Sequence, residues 1–344
     1  MKKSFLIAGL FLFVLGLTFT SCKKDEEEEE PELTGLDKAK KDYEDEYLGT
    51  KLSTISWTGS EAGCDQGDVA SETRDKVVKR VNYYRAMCGL PSISLNSSQN
   101  SSCQRAALMM MANNDLNHTP PNSWTCFVQE GYDASSTGNI AIGWGSSEPE
   151  ANHSINAVSG YMEDPGPGNE VVGHRAWLLC RKLSAIGTGS VYDADHEYQG
   201  MHGAAANCIR WGDNLNGSAT AGPEFITYPP ATYVPSTLVF PRWHFSYPNA
   251  NFSAASVSMK DSKGKTYTCN IIHRASQGGG LDARIVWEPQ NVVINEDLDF
   301  TVTVSDISGA PKTSYEYTVK AFHVTGTAKR IDPNTTNQSK KLFL

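Results

Sequence analysis

GHRAWLLCRKLSAIGTGS, residues 173–190, changes period in mid-course. Its first half, GHRAWLLCR at 173–181, fits a short helix, whereas the SAIGTGSVY that follows, and NCIRWG after it, have the character of strands. Upstream, NIAIGW at 139–144 reads as a further strand, and SETRDKVVKRVNYYRAMCGLP at 71–91 reads as a helix. Ser71 can cap that helix, Val77, Val81, Tyr84 and Cys88 recur at intervals of three and four, and Gly89 and Pro91 end it. A second helix is expected over about 98–117, with Cys103, Ala107, Met110 and Met111 on its buried face and His118 just past its end. The methionine run is core filling rather than a ligand box. Ile155, Val158 and Met162 mark a third helix that Pro165 stops. Helices and strands alternate without the long regular spacing of a doubly wound fold. The expected class is therefore α+β, with helices flanking a mainly antiparallel sheet.

Beyond Thr227 the pattern changes. Pro229, Pro230, Pro235 and Pro241 crowd a short stretch, as in a linker or a leading edge. Val257 and Met259, then Tyr267, Cys269 and Ile271, alternate on either side of Asp261-Ser262-Lys263-Gly264, a hairpin signature. Phe300, Val302 and Val304 alternate again, as do Tyr315, Tyr317 and Val319. Short strands without a helical period predict a small immunoglobulin-like β-sandwich. The expected partition is 1–21 as an export signal, 22–68 as an acidic tether and lead-in with a short helix near Leu36 to Tyr47, 69–222 as the first domain, 223–328 as the second, and 329–344 as a tail.

The first residues, MKKSFLIAGLFLFVLGLTFTS, join a basic start at Lys2 and Lys3 to an apolar run from Phe5 to Leu17 that is too short to span a bilayer comfortably. Thr20-Ser21-Cys22 resembles the lipobox of bacterial lipoproteins, with Phe19 where that box usually has leucine. The resemblance implies that Cys22 is acylated and that the chain is membrane-anchored. KKDEEEEEPE after it is a charged tether, similar to the surface-export signal of lipoproteins in the Bacteroidetes group, which implies the outer membrane or cell surface of such a bacterium. The alternative is ordinary secretory cleavage with Cys22 as a disulfide partner. A net charge of −9, from 30 basic and 39 acidic residues, disfavours a nucleic-acid partner. After Cys22 come Cys64, Cys88, Cys103, Cys126, Cys180, Cys208 and Cys269, an odd set, for which a Cys88–Cys103 bridge is the first expectation.

Catalytic signatures are sparse. There is no GxSxG elbow or P-loop, and Gly278-Gly279-Gly280 lacks the surroundings a phosphate needs. His196-Glu197 resembles the opening of a zincin motif, but the next histidine, His202, is six residues on and would face another side of a helix. His118, held by a following LNHTPP turn, and His174, behind a flexible glycine, are the informative pair.

The series VNYYRAMCGLP, LNHTPP, GNIAIGW and GHRAWLLCRKLSAIGTGS resembles the CAP superfamily of cysteine-rich secretory proteins, antigen 5 and pathogenesis-related proteins, over about residues 70–215. The resemblance implies a three-layer α-β-α sandwich, secretion, and a cleft where two histidines and two acids bind a divalent metal such as zinc. Carried over, His118 and His174 match the two histidines, and Asp164 falls roughly at the place of one acid. The other acid belongs to a GENI motif that reads TGNI here, with Gly138 in the glutamate's place. Two imidazoles and one carboxylate would leave an open position on zinc. Glu163 and Glu170 are candidate general bases, Asn139 is expected to pin a turn, and Trp144, Trp177 and Trp211 to form core or cleft wall. The family's members are mostly binding or signalling proteins, some of them lipid-binding. The leading expectation is accordingly a non-enzymatic recognition module for a lipid, glycan or protein, lined by His118, His174, Asp164, Asn139 and Trp177. The alternatives are a metal-dependent hydrolase of envelope or host polymers and a structural surface protein with a vestigial cleft.

Overall fold

The lead-in opens with α1 (Gly35–Asp42), which continues into a π-helical turn at Tyr43–Tyr47. The structure, a computed structural model, describes residues 33, 35–52, 55–145, 153–220, 222–325, 329–331 and 341–343. The expected export signal, Cys22 and the acidic tether lie outside the described residues.

The stripe expected over 71–91 folds as α2 (Ser71–Met87), and Val77, Val81, Tyr84 and Cys88 are all buried. Arg85 on the same helix is also sealed from solvent, and its guanidinium donates to the carbonyls of Pro91, Leu178, Cys180 and Leu183. A buried arginine is tolerated because each polar edge has a backbone acceptor. α3 (Asn100–Asn113) is shorter than expected: Asn114 turns left-handed at φ 52° and closes the helix, a conformation asparagine accepts readily. Then come α4 (Gln129–Ser136), which no apolar period announced, α5 (His153–Glu163) and α6 (Gly173–Leu178).

These helices clasp a sheet of β1 (Ser94–Leu95), β2 (Gly138–Trp144), β3 (Ala185–Tyr198) and β4 (Met201–Arg210), in the order β1-β3-β4-β2. β3 and β4 form a hairpin closed by Gln199 and Gly200, both at positive φ, and β2 runs antiparallel to β4. The pleat divides the core in two. Ile140, Ile142, Val191 and Cys208 pack with α3 and α4, while Ala141, Ile186 and Ile209 pack with α2 and α5. This is the expected three-layer arrangement. α3 lies so close to the sheet that a side chain at Gly189 would meet the Gln104 amide, which only glycine avoids.

The layering corrects the expected Cys88–Cys103 bridge. Cys88 belongs to the core on one side of the sheet and Cys103 to the core on the other. The disulfide that forms is Cys64–Cys126, and both Cys88 and Cys103 are buried thiols.

The β-rich C-terminal region adds β5 (Ile226–Tyr228), β6 (Tyr233–Pro235), β7 (Trp243–Tyr247), β8 (Ser256–Asp261), β9 (Thr266–Tyr267), β10 (Cys269–Ala275), β11 (Ala283–Pro289), β12 (Val292–Ile294), β13 (Leu298–Ser305), β14 (Tyr315–Phe322), β15 (Lys329–Ile331) and β16 (Lys341–Phe343). One sheet has the order β10-β11-β7-β5 and another β6-β14-β13-β8-β9. They meet through rings: Trp243 against Phe300 at 5.6 Å and Phe245 against Tyr315 at 5.4 Å. The hairpin expected at 261–264 joins β8 to β9 with Met259 opposite Tyr267. Within the expected tail, β15 pairs with β12 and β16 with β2. The core on the α2/α5 side is continuous with that of the β-rich region, through Tyr228, Val234 and Leu238.

Candidate histidine site

α3 ends before His118, and the turn that follows turns this ring over α4. Its Nδ1 donates to the Ser135 carbonyl at 2.7 Å, while the residue stays exposed to solvent. His174 enters from the first turn of α6 and is 7% exposed. Its Nδ1 donates at 2.6 Å to Oδ1 of Asp164, which is fully buried and whose Oδ2 accepts the Arg175 amide. Both rings are thereby fixed with the proton on Nδ1, and their direction is set by what that proton meets. Burial pushes the His118 pKa down, the Ser135 carbonyl opposes this, and His174 adds electrostatically to the fall.

Other residues build the frame. Asn139, on β2, spans from strand to helix instead of pinning a turn: Nδ2 donates to the His174 carbonyl at 3.1 Å, and Oδ1 accepts from Trp211 Nε1 at 3.2 Å. Trp211 stacks on Trp177 with ring centres 3.7 Å apart, so these two are one half-buried wall. Trp144 is buried on the far side of the sheet. Glu170 folds back onto the Gly168 amide, and Glu163 contributes its carbonyl to Arg175.

Sequence reasoning passed over Tyr161. It stacks on His174 at 5.5 Å, and its hydroxyl lies against the Asn139 carbonyl at 3.2 Å and Asn207 Oδ1 at 3.1 Å. Its position in the α5 pattern, beside Val158 and Met162, marked it as core and concealed the polar tip. Arg175 was equally unmarked. It is fully buried, next to His174, and donates to the carbonyls of Met162, Glu163 and Arg242.

The family model for the cysteine-rich secretory proteins, CAP, matches residues 78–211. This part of the chain is a CAP domain. No curated protein matches the chain.

The metal that the CAP resemblance implies can be tested against these donors. Asp164 sits behind His174 on Nδ1, in the place of a supporting carboxylate and not of a ligand. A side chain at Gly138, where the CAP glutamate belongs, would lie 2.8 Å from the carbonyls of both Ala134 and Ile209. No acid fits there without moving backbone. Among the described residues, no group of three or more histidine, cysteine, aspartate or glutamate side chains is arranged to hold a metal ion. His118, His174 and Asp164 therefore supply two nitrogens and a committed carboxylate, one donor short of a three-ligand zinc site. His196, the zincin near-miss, is on strand β3 and not on a helix, and it bonds to Glu61 and Asn114.

Proposed function

We propose that this protein is a CAP-family recognition module, displayed outside the cytoplasm on a lipid anchor at Cys22, that binds a hydroxyl-bearing ligand such as a glycan at His118. The observation that carries this is the pairing of an exposed imidazole, fixed through Nδ1, with a buried and rigidly oriented neighbour at His174. A neutral ring held in this way offers Nε2 as an acceptor to a hydroxyl donor. The aromatic wall of Trp177 and Trp211 supplies apolar surface of the kind small-molecule sites use. Two imidazoles and a carboxylate already committed to His174 do not fit a resident metal. The β-rich region, read as an immunoglobulin-like sandwich, supports the domain.

N-acetylglucosamine oligomers and, separately, phosphatidylglycerol vesicles serve as probes in a thermal-shift titration. Binding at the site raises the melting temperature through mass action, by about 3 kcal/mol of stabilisation at a hundredfold excess over Kd. The shift should disappear in His118→Ala. A shift that survives that substitution places the binding elsewhere and overturns the reading. Response to vesicles alone replaces the glycan by a lipid headgroup. Cys22→Ala should move the protein from the membrane to the soluble fraction, and unchanged membrane retention refutes the anchor.

A further inference from the structure

The segment between α5 and α6 delivers Asp164 to His174 in a conformation that it would not choose unaided. Asp164 stands at φ +58° and Val172 at φ +47°, both in the left-handed region. For aspartate this is uncommon, and for a β-branched residue it is a genuine outlier that persists only where surrounding contacts over-determine it. The segment has some bonds of its own, from the Val172 amide to the Asn169 carbonyl and from Asn169 Nδ2 to the Pro165 carbonyl. The flanking helices hold its two ends, since the Asp164 amide donates to the Gly160 carbonyl at 2.8 Å and the Val172 carbonyl accepts the Ala176 amide at 3.0 Å. Further restraint comes from the other half of the molecule. Arg242, just before β7, donates through Nη1 to the Asp164 carbonyl and through Nη2 to the Gly166 carbonyl at 2.8 Å, while its Nε lies 3.3 Å from Glu288 on β11. Arg284, on β11 and 5% exposed, donates through Nε to the Val171 carbonyl at 2.7 Å. Arg175 completes the clamp by donating from the helix side to the Arg242 carbonyl at 2.8 Å.

We propose that Arg242 and Arg284 are positioning residues for the His174–Asp164 pair, so that the histidine site is assembled by both halves of the chain and not by the CAP domain alone. The physical reason lies in which carbonyls are gripped. Arg242 holds the carbonyl of Asp164 itself, and Arg284 holds the one immediately before Val172, so each arginine acts at or beside a strained residue. Released from them, the backbone relaxes toward negative φ and carries the Asp164 carboxylate off the His174 Nδ1. Contacts of the same two regions elsewhere do not have this property. Arg181, for example, pairs with Asp282 at 2.9 Å and donates to the Pro223 carbonyl, away from the strained segment. This inference rests on His174 being a site residue, but its test does not depend on any ligand.

A charge-assisted N–H to carboxylate bond of this length gives a proton resonance well downfield of the amides. In the full chain that signal is assigned by its loss in His174→Gln. Arg242→Met should abolish or broaden it, and Arg284→Met should weaken it. Arg181→Met should lower the melting temperature and leave the signal in place, which separates positioning from mere docking. Val172→Gly, which accepts positive φ without strain, should restore the signal in the Arg284→Met background. An unchanged signal in both Arg242→Met and Arg284→Met overturns the proposal, as does equal loss in Arg181→Met. If Arg242→Met fails to fold, Arg284→Met with the Arg181→Met control decides. Absence of probe binding to the unsubstituted chain, with its downfield signal present, counts against the recognition reading and leaves this one standing.

Discussion

His174 and His196 are equally buried, each 7% exposed, and each donates through Nδ1 to a carboxylate, yet they lie in regions of opposite character. The carboxylate of His196 belongs to Glu61, whose side chain is 25% exposed and which lies just before Cys64 of the Cys64–Cys126 disulfide. Its Nε2 is 2.8 Å from Asn114 Oδ1, which also accepts from Trp144. The two nitrogens of His196 thus tie the segment before Cys64 and the end of α3 to β3. The carboxylate of His174 belongs to a fully buried aspartate on a strained segment, and His174 adds to the lowering of the pKa of the solvent-facing His118. A histidine bonded to an acid does not by itself mark a site. What distinguishes one is an enclosed charge next to a partner that solvent can reach.

The contrast is broken or sharpened by unfolding measurements. Asp164→Ala removes a buried carboxylate from two donors and should cost about 3–5 kcal/mol in urea denaturation, whereas Glu61→Ala, at a partly exposed pair, should cost below about 1 kcal/mol. Equal losses would erase the distinction between the two regions. Replacing Cys64 and Cys126 together by serine opens a closure between residues 62 apart and should cost about 3 kcal/mol, without disturbing the downfield proton of His174. Gly138→Ala forces a methyl between two carbonyls and should cost about 1–3 kcal/mol. The smallest effect is on pH dependence. Burial holds His118 and His244 below their ordinary value, with His174 adding to the first and the cations of Arg175 and Arg284 to the second. A histidine with a depressed folded-state pKa binds its proton more tightly unfolded. The stability it supports is whole above about pH 6.5 and falls as pH drops from there through the folded value. The melting temperature should therefore decline between pH 7 and pH 5, with a shallower slope in His244→Gln.

Much of the fold was legible because its signals are local. The spacing of Val77, Val81, Tyr84 and Cys88 located α2, the run from Asp261 to Gly264 located the β8–β9 hairpin, and the order of helices and strands gave the class. α4 stayed hidden because GYDASS has no apolar stripe, and the cysteine pairing was misjudged because chain order says nothing about which face of a sheet a helix covers. At the site, the histidines stood out by type and by the short segments around them. Their support was not visible, since Arg242 and Arg284 act on carbonyls, which every residue possesses and no pattern announces. Asp164 looked like a ligand because its residue type suits a metal. Only the orientation of its carboxylate reveals that it faces an imidazole nitrogen instead.

The crowding around Gly138 also bears on how this part of the fold can change. Installing the glutamate that the CAP motif carries is not a one-step substitution, because the strand end would first have to part from the last turn of α4 and from β4. A designer wanting a four-donor centre in this scaffold must rebuild a helix–strand junction before adding the acid, and random mutagenesis of single codons will not find it.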